Sequence, residues 1–95
     1  MIISQLSIAP LGKGTSVSKY VKIAVQSIKK SGVKYKNNAM ATVIETEDID
    51  TLFDVVRNAH NAVAKAGAKR IITELKIDDR KDKNATSESK IKAVQ

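Results

Sequence analysis

The chain has 95 residues, 42% of them apolar and 28% charged, with a net charge of +7, no cysteine and a single histidine. That length holds one small two-layer domain rather than two independent cores, and the balance of residue types is that of a folded globular protein, not a disordered one. Without cysteine there are no disulfides, no thiol catalysis and no thiolate zinc site, and His60 alone does not build a histidine metal cage.

No apolar run approaches the roughly 18 residues that a membrane span requires. The start, Met1-Ile2-Ile3-Ser4-Gln5, lacks the basic n-region of a signal peptide, so the expected location is cytoplasmic with no membrane partner. The positive charge raises an anionic partner as a possibility. It is dispersed, however: residues 1–67 carry nine basic and five acidic side chains, and residues 68–95 carry eight and five. Lys29-Lys30, Lys69-Arg70 and Arg80-Lys81 are the adjacent basic pairs and none extends into a longer basic run, which reads as a solvated surface more than as a nucleic-acid patch.

Ile2 to Ala9 alternates, with Ile2, Ser4, Leu6 and Ile8 on one side and Ile3, Gln5 and Ser7 on the other, the pattern of a first strand. Pro10-Leu11-Gly12-Lys13-Gly14 breaks it, and Thr15-Ser16-Val17-Ser18 offers hydroxyls to cap a helix over Lys19 to Ser31. Tyr20, Val21, Ala24, Val25 and Ile28 form that helix's apolar stripe, and Gly32 ends it. Val33-Lys34-Tyr35-Lys36, a turn at Asn37-Asn38 and the strand Met40 to Glu47 make a β-hairpin. Asp48 is placed to cap a second helix whose stripe is Leu52, Phe53, Val56, Ala59, Val63 and Ala64, ending at Gly67. Lys69 to Asp78 alternates as a fourth strand, with Ile71, Thr73, Leu75 and Ile77 on one face. Residues 78–95 read as a charged loop of mixed sign followed by a short terminal helix that docks Ile91 and Val94.

The order is βαββαβ plus a terminal helix. This is a ferredoxin-like α+β sandwich over residues 1–95, with a four-stranded antiparallel sheet and both main helices on one face. The other face then carries Gln5, Ser7, Glu74, Lys76 and either Thr42 or Glu45, with Ile3 and Ile72 among them. A mixed open face of this kind is a surface for a partner subunit or a ligand.

Fold alone does not assign function. An RNA-recognition domain needs stacking aromatics on its central strands, and Ile2 to Ala9, Met40 to Glu47 and Lys69 to Asp78 have none. An acylphosphatase-like enzyme would want an arginine in the loop after the first strand, where Leu11-Gly12-Lys13-Gly14 has none. Gly12-Lys13-Gly14-Thr15-Ser16 lacks the full GxxxxGK(S/T) spacing of a phosphate loop. His60 has no partner evident in sequence, and Glu45 with Glu74 lacks a context that would position water for hydrolysis. A non-enzymatic role is expected.

One combination of residues is more specific. Pro10 through Gly14, Ser16, Ser18, Tyr20 and Val21, then Ser31-Gly32-Val33 and Tyr35, then Met40, Thr42, Ile44 and Glu45, then His60, Gly67 and Arg70, and finally Lys76 to Lys83 with Lys90, resemble the MTH1187/YkoF-like family of thiamine-binding proteins, also known as UPF0045. The likeness covers nearly the whole chain. It departs at Ala39 and Ala41, where the family usually has Pro and Gly, and at Thr46, where Gly is common. The resemblance implies a subunit that associates through its sheet into a homodimer or homotetramer. It also implies binding of thiamine or a related hydroxymethylpyrimidine without chemistry on it, for sensing, storage or delivery, and with no cofactor beyond that ligand.

Chemically, an aminopyrimidine donates N–H bonds to a carboxylate, its ring nitrogens accept from a hydroxyl, and a thiazolium cation is stabilised by a nearby carboxylate. Glu45 and Thr42 suit those roles, Ser16 and Ser18 can add hydroxyl contacts, and Tyr35 or Phe53 can stack. Thr42 and Glu45 are three apart, so one ligand touches both only across a bulge, from a strand end or between subunits. The alternatives are a structural or regulatory oligomeric module whose site is altered or lost, and a weak, charge-driven nucleic-acid binder.

Overall fold

The structure, a computed structural model, describes residues 1–14 and 17–95. In chain order the elements are β1 (Ile2–Leu11), α1 (Ser18–Lys30), β2 (Lys34–Asn37), β3 (Thr42–Thr46), α2 (Ile49–Lys65), β4 (Arg70–Asp79) and α3 (Ser87–Ala93). The four strands form one antiparallel sheet in the order β2-β3-β1-β4, the ferredoxin-like arrangement that the element order requires.

Register fixes the two faces. Leu6 pairs with Thr42 and Leu75, Ser4 with Ile44 and Ile77, and Ile2 with Thr46 and Asp79, so these residues share the face under the helices. Ile28, Ile44, Leu52 and Val63 are the largest fully buried side chains, and they join the sheet to both helices. Burying each contributes about 1.5–3 kcal/mol. Ser4 is buried among them because its hydroxyl donates to the Ile44 carbonyl at 3.3 Å, which removes the cost of an unpaired polar group.

Helix ends follow local chemistry. The Asp48 carboxylate accepts from the Thr51 N–H at 2.7 Å at the start of α2, and this bond holds its pKa below the usual value. Gly32 and Gly67, with φ of 80° and 110°, end α1 and α2 in a backbone region that side chains disfavour. At α1 the N-cap is Val17, with no side-chain bond, and Ser18 is the first helical residue; the caps expected at Thr15 and Ser16 lie outside the described residues.

Four expectations are corrected. Pro10 does not break β1, which runs on to Leu11. Pairing with β3 stops at Leu6, so beyond it β1 has β4 alone beside it, and a strand edge accommodates proline's missing N–H. Met40 is not in β3. It stands 88% exposed at the hairpin tip, where the Asn38 N–H donates to the Ala41 carbonyl at 2.8 Å. The buried stripe of α2 is Leu52, Val55, Ala59 and Val63, which leaves Phe53 46% exposed. Finally, α3 has no buried residue, and Ile91 and Val94 face outward instead of docking.

Candidate functional site

The site begins with a mismatch of strand lengths. β1 has ten residues and β3 five, so past Leu6 the sheet loses a strand on one side while α1 still crosses above. The hairpin loop 38–41 turns back beside the gap. The result is a cleft of about 630 Å³ between α1 and the β2–β3 hairpin, within the usual size range of small-molecule sites. Leu6, Ile8, Ala24 and Ile28 give it an apolar floor, and Ser18, Lys22, Asn37, Asn38 and Thr42 supply polar groups.

Thr42 is buried and its hydroxyl donates to the Asn37 side-chain oxygen at 3.1 Å, across the strand pair. That bond uses the hydroxyl proton and leaves oxygen lone pairs able to accept, while the Asn37 amide nitrogen keeps its donors. The pair therefore presents an acceptor beside a donor, the complement of an aminopyrimidine edge.

Glu45 has a different setting. It pairs in register with Ile3 and Lys34, and so lies on the face opposite Thr42; the β1–β3 register runs without a bulge from Thr42 to Thr46. The residue is 6% exposed, and its carboxylate accepts from the Ser87 N–H at 2.8 Å and meets the Lys34 ammonium at 3.4 Å. Ser87 opens α3, so Glu45 receives a helix-terminal N–H from a segment 42 residues away in sequence. An ion pair between Lys90 and Asp78 and the buried Ala85 fasten the same segment to the sheet.

Of the candidate residues, Thr42 and Ser18 meet in the cleft, and Glu45 stands apart from them. Tyr35, opposite Ile44, packs half-buried against the core, and Ser16 lies outside the described residues. His60 Nδ1 is 2.7 Å from the Thr73 hydroxyl, a tether between α2 and β4. Lys22, Asn37 and Asn38 were missed by sequence reasoning. Lys22 carries a usable signal, since it follows Ser18 by four residues and so shares its helical face; the asparagines read only as a turn. A smaller hollow of about 370 Å³ adjoins at Ser7, Met40 and Ala41 and includes Glu74 and Lys76 on the other face of the sheet.

Comparison with known proteins identifies the group. Residues 4–95 match the family model described as thiamine-binding protein. A UPF0045 protein of Methanothermobacter thermautotrophicus is 44% identical over 96 residues, covering all of this chain and 97% of its own. A hypothetical protein of Methanocaldococcus jannaschii has a crystal structure that superposes with a TM-score of 0.91 at 46% identity, covering 98% of this chain and 94% of its own. The chain belongs to the thiamine-binding protein family, whose relatives include the UPF0045 proteins. A Thermotoga maritima structure described as a putative thiamine biosynthesis/salvage protein shares the fold with a TM-score of 0.85 at 20% identity, covering 99% of this chain and 98% of its own.

Proposed function

We propose that this protein binds thiamine or a related hydroxymethylpyrimidine compound without transforming it, and that the ligand enters the cleft between α1 and the hairpin. The observation that carries the reading is the Thr42–Asn37 pair at the wall of an apolar-floored cleft in a chain of the thiamine-binding family. Thr42 accepts from the pyrimidine amino group, Asn37 donates to a ring nitrogen, and Ser18 adds a hydroxyl from α1. The apolar floor takes the ring faces. Ser16 and Tyr35 belong to the proposal only as flanking groups, and Glu45 serves a ligand only on its own face, at a subunit boundary. The oligomer, a dimer or tetramer, forms through the sheet face that carries Ile3 and Ile72, and the protein works in the cytoplasm in sensing, storage or delivery.

Calorimetric titration with thiamine and with hydroxymethylpyrimidine tests the reading, with Thr42→Val as the variant. Saturable binding that weakens in Thr42→Val supports it, and no binding to either compound or to their phosphates overturns it. The internal engagement of Glu45 favours a second reading, a structural or regulatory oligomer whose ligand site has changed. Saturable pyrimidine binding that weakens in Thr42→Val and is unaffected by Glu45→Gln would count against that alternative.

A further inference from the structure

We propose that the cleft takes its pyrimidine ligand as a phosphate ester, with Lys22 engaging the phosphate; this rests on the ligand class proposed above and assigns its charge. Among the described residues Lys22 is the one charged side chain lining the cleft, and no carboxylate lines it. The carboxylate that sequence reasoning offered to a cationic ring, Glu45, is on the other face and already holds the Ser87 N–H and Lys34. A thiazolium in this cleft would meet a positive charge and no compensating negative one. A phosphate reverses that balance.

The position of Lys22 supports the assignment. Ser18 and Lys22 are one helical turn apart on α1, so a hydroxyl and an ammonium present themselves together along one wall. Asn37 and Asn38 face them from the hairpin with amide donors. Lys22 forms no ion pair among the described residues, so no carboxylate there neutralises its ammonium. An ammonium beside a cleft with hydroxyl and amide donors is a point-charge phosphate site of the kind lysine serves well.

The test is calorimetric titration of the whole chain with hydroxymethylpyrimidine, hydroxymethylpyrimidine phosphate, thiamine, thiamine monophosphate and inorganic phosphate. Each is run on the native protein, Lys22→Met and Lys22→Arg. We expect each ester to bind about tenfold or more tightly than its unphosphorylated parent, the scale of one charge-assisted contact. In Lys22→Met each ester's advantage over its parent should disappear, and thiamine, whose thiazolium no longer meets an ammonium, should bind at least as tightly as before. Lys22→Arg should keep the preference. Raising salt from about 0.05 to 0.5 M should narrow the gap. Parents that bind as tightly as their esters overturn this inference and leave the ligand class standing, and a preference that survives Lys22→Met removes Lys22 from it. Binding by none of the organic compounds overturns both readings, and binding of inorganic phosphate alone overturns the pyrimidine class.

Discussion

Thr42 and Glu45 are three residues apart on one strand, yet one opens onto a cleft and the other closes a corner. Thr42 keeps acceptor capacity beside an apolar hollow, with a neighbour, Asn37, whose amide donors are uncommitted among the described residues. Glu45 is buried with both oxygens engaged, one by the first N–H of α3 and one by Lys34. The same strand thus leaves spare hydrogen-bonding capacity on one face and fastens α3 on the other. A polar side chain is available to a ligand where its hydrogen-bonding capacity exceeds what its own fold consumes.

Replacing Glu45 gives the largest effect that this comparison predicts. Glu45→Ala leaves the Ser87 N–H without its acceptor and is expected to cost about 1–3 kcal/mol of stability. Glu45→Gln keeps an acceptor oxygen and should cost roughly half as much. Chemical denaturation measures both, and hydrogen exchange at Ser87 should accelerate in Glu45→Ala. Ligand affinity should stay within about twofold in either variant, because distant sites act independently. A large loss of affinity with little loss of stability would invert the two roles.

Thr42→Val comes next. It preserves shape and removes the hydroxyl, so stability should change by less than about 1 kcal/mol, since Asn37 is exposed and water can replace its lost donor. Affinity for a pyrimidine ligand should fall by about tenfold, the worth of one hydrogen bond plus the burial of an unpaired amino group. Titration calorimetry beside a denaturation curve separates these two numbers, and their ratio is the reverse of that expected for Glu45.

How much of this arrangement was legible depends on the distance over which each signal acts. Alternation placed Ile2, Ser4, Leu6 and Ile8 on the buried face, and the odd spacing between 42 and 45 already put those side chains on opposite sides unless a bulge intervened. Asp48 announced the start of α2 because a cap is a three-residue affair. The bond between Glu45 and Ser87 spans 42 residues and leaves no local trace. Phe53 is as apolar as its core neighbours, but helical phase decides, and Val55 completes the line through Leu52, Ala59 and Val63. The cleft has no local sequence signal for a related reason: it arises from β1 being longer than β3, a property of two strands compared, and Lys22 counts only once that gap exists.

Thr86→Ala sharpens the comparison on the side of α3. The Thr86 hydroxyl accepts from the Ser89 N–H at 3.1 Å while the Ser89 hydroxyl accepts from the Thr86 N–H at 2.9 Å, a reciprocal cap on a helix with no buried side chain. Its loss should weaken α3 locally by about 1 kcal/mol. Exchange of the Ser89 N–H reports it, with the cleft and its affinity untouched.

The smallest expected effect concerns acid, and it sets a local carboxylate cap against the long-range one. The Thr51 N–H stabilises ionised Asp48 and lowers its pKa from the usual 3.8. A depressed folded-state pKa means that the unfolded chain binds the proton first, so the contribution of this cap is complete above about 3.8 and disappears as pH falls through the lower folded value. Asp82, lowered by its bond to Arg80, behaves in the same sense. Asparagine caps a helix without titrating. The difference in Tm between the native protein and Asp48→Asn should therefore be constant from neutral pH down to about 5, and should then shift in favour of Asp48→Asn as the carboxylate protonates. Thermal melts of both proteins across that range check it, and a difference that stays constant to pH 2 would mean that Asp48 caps α2 equally well when protonated.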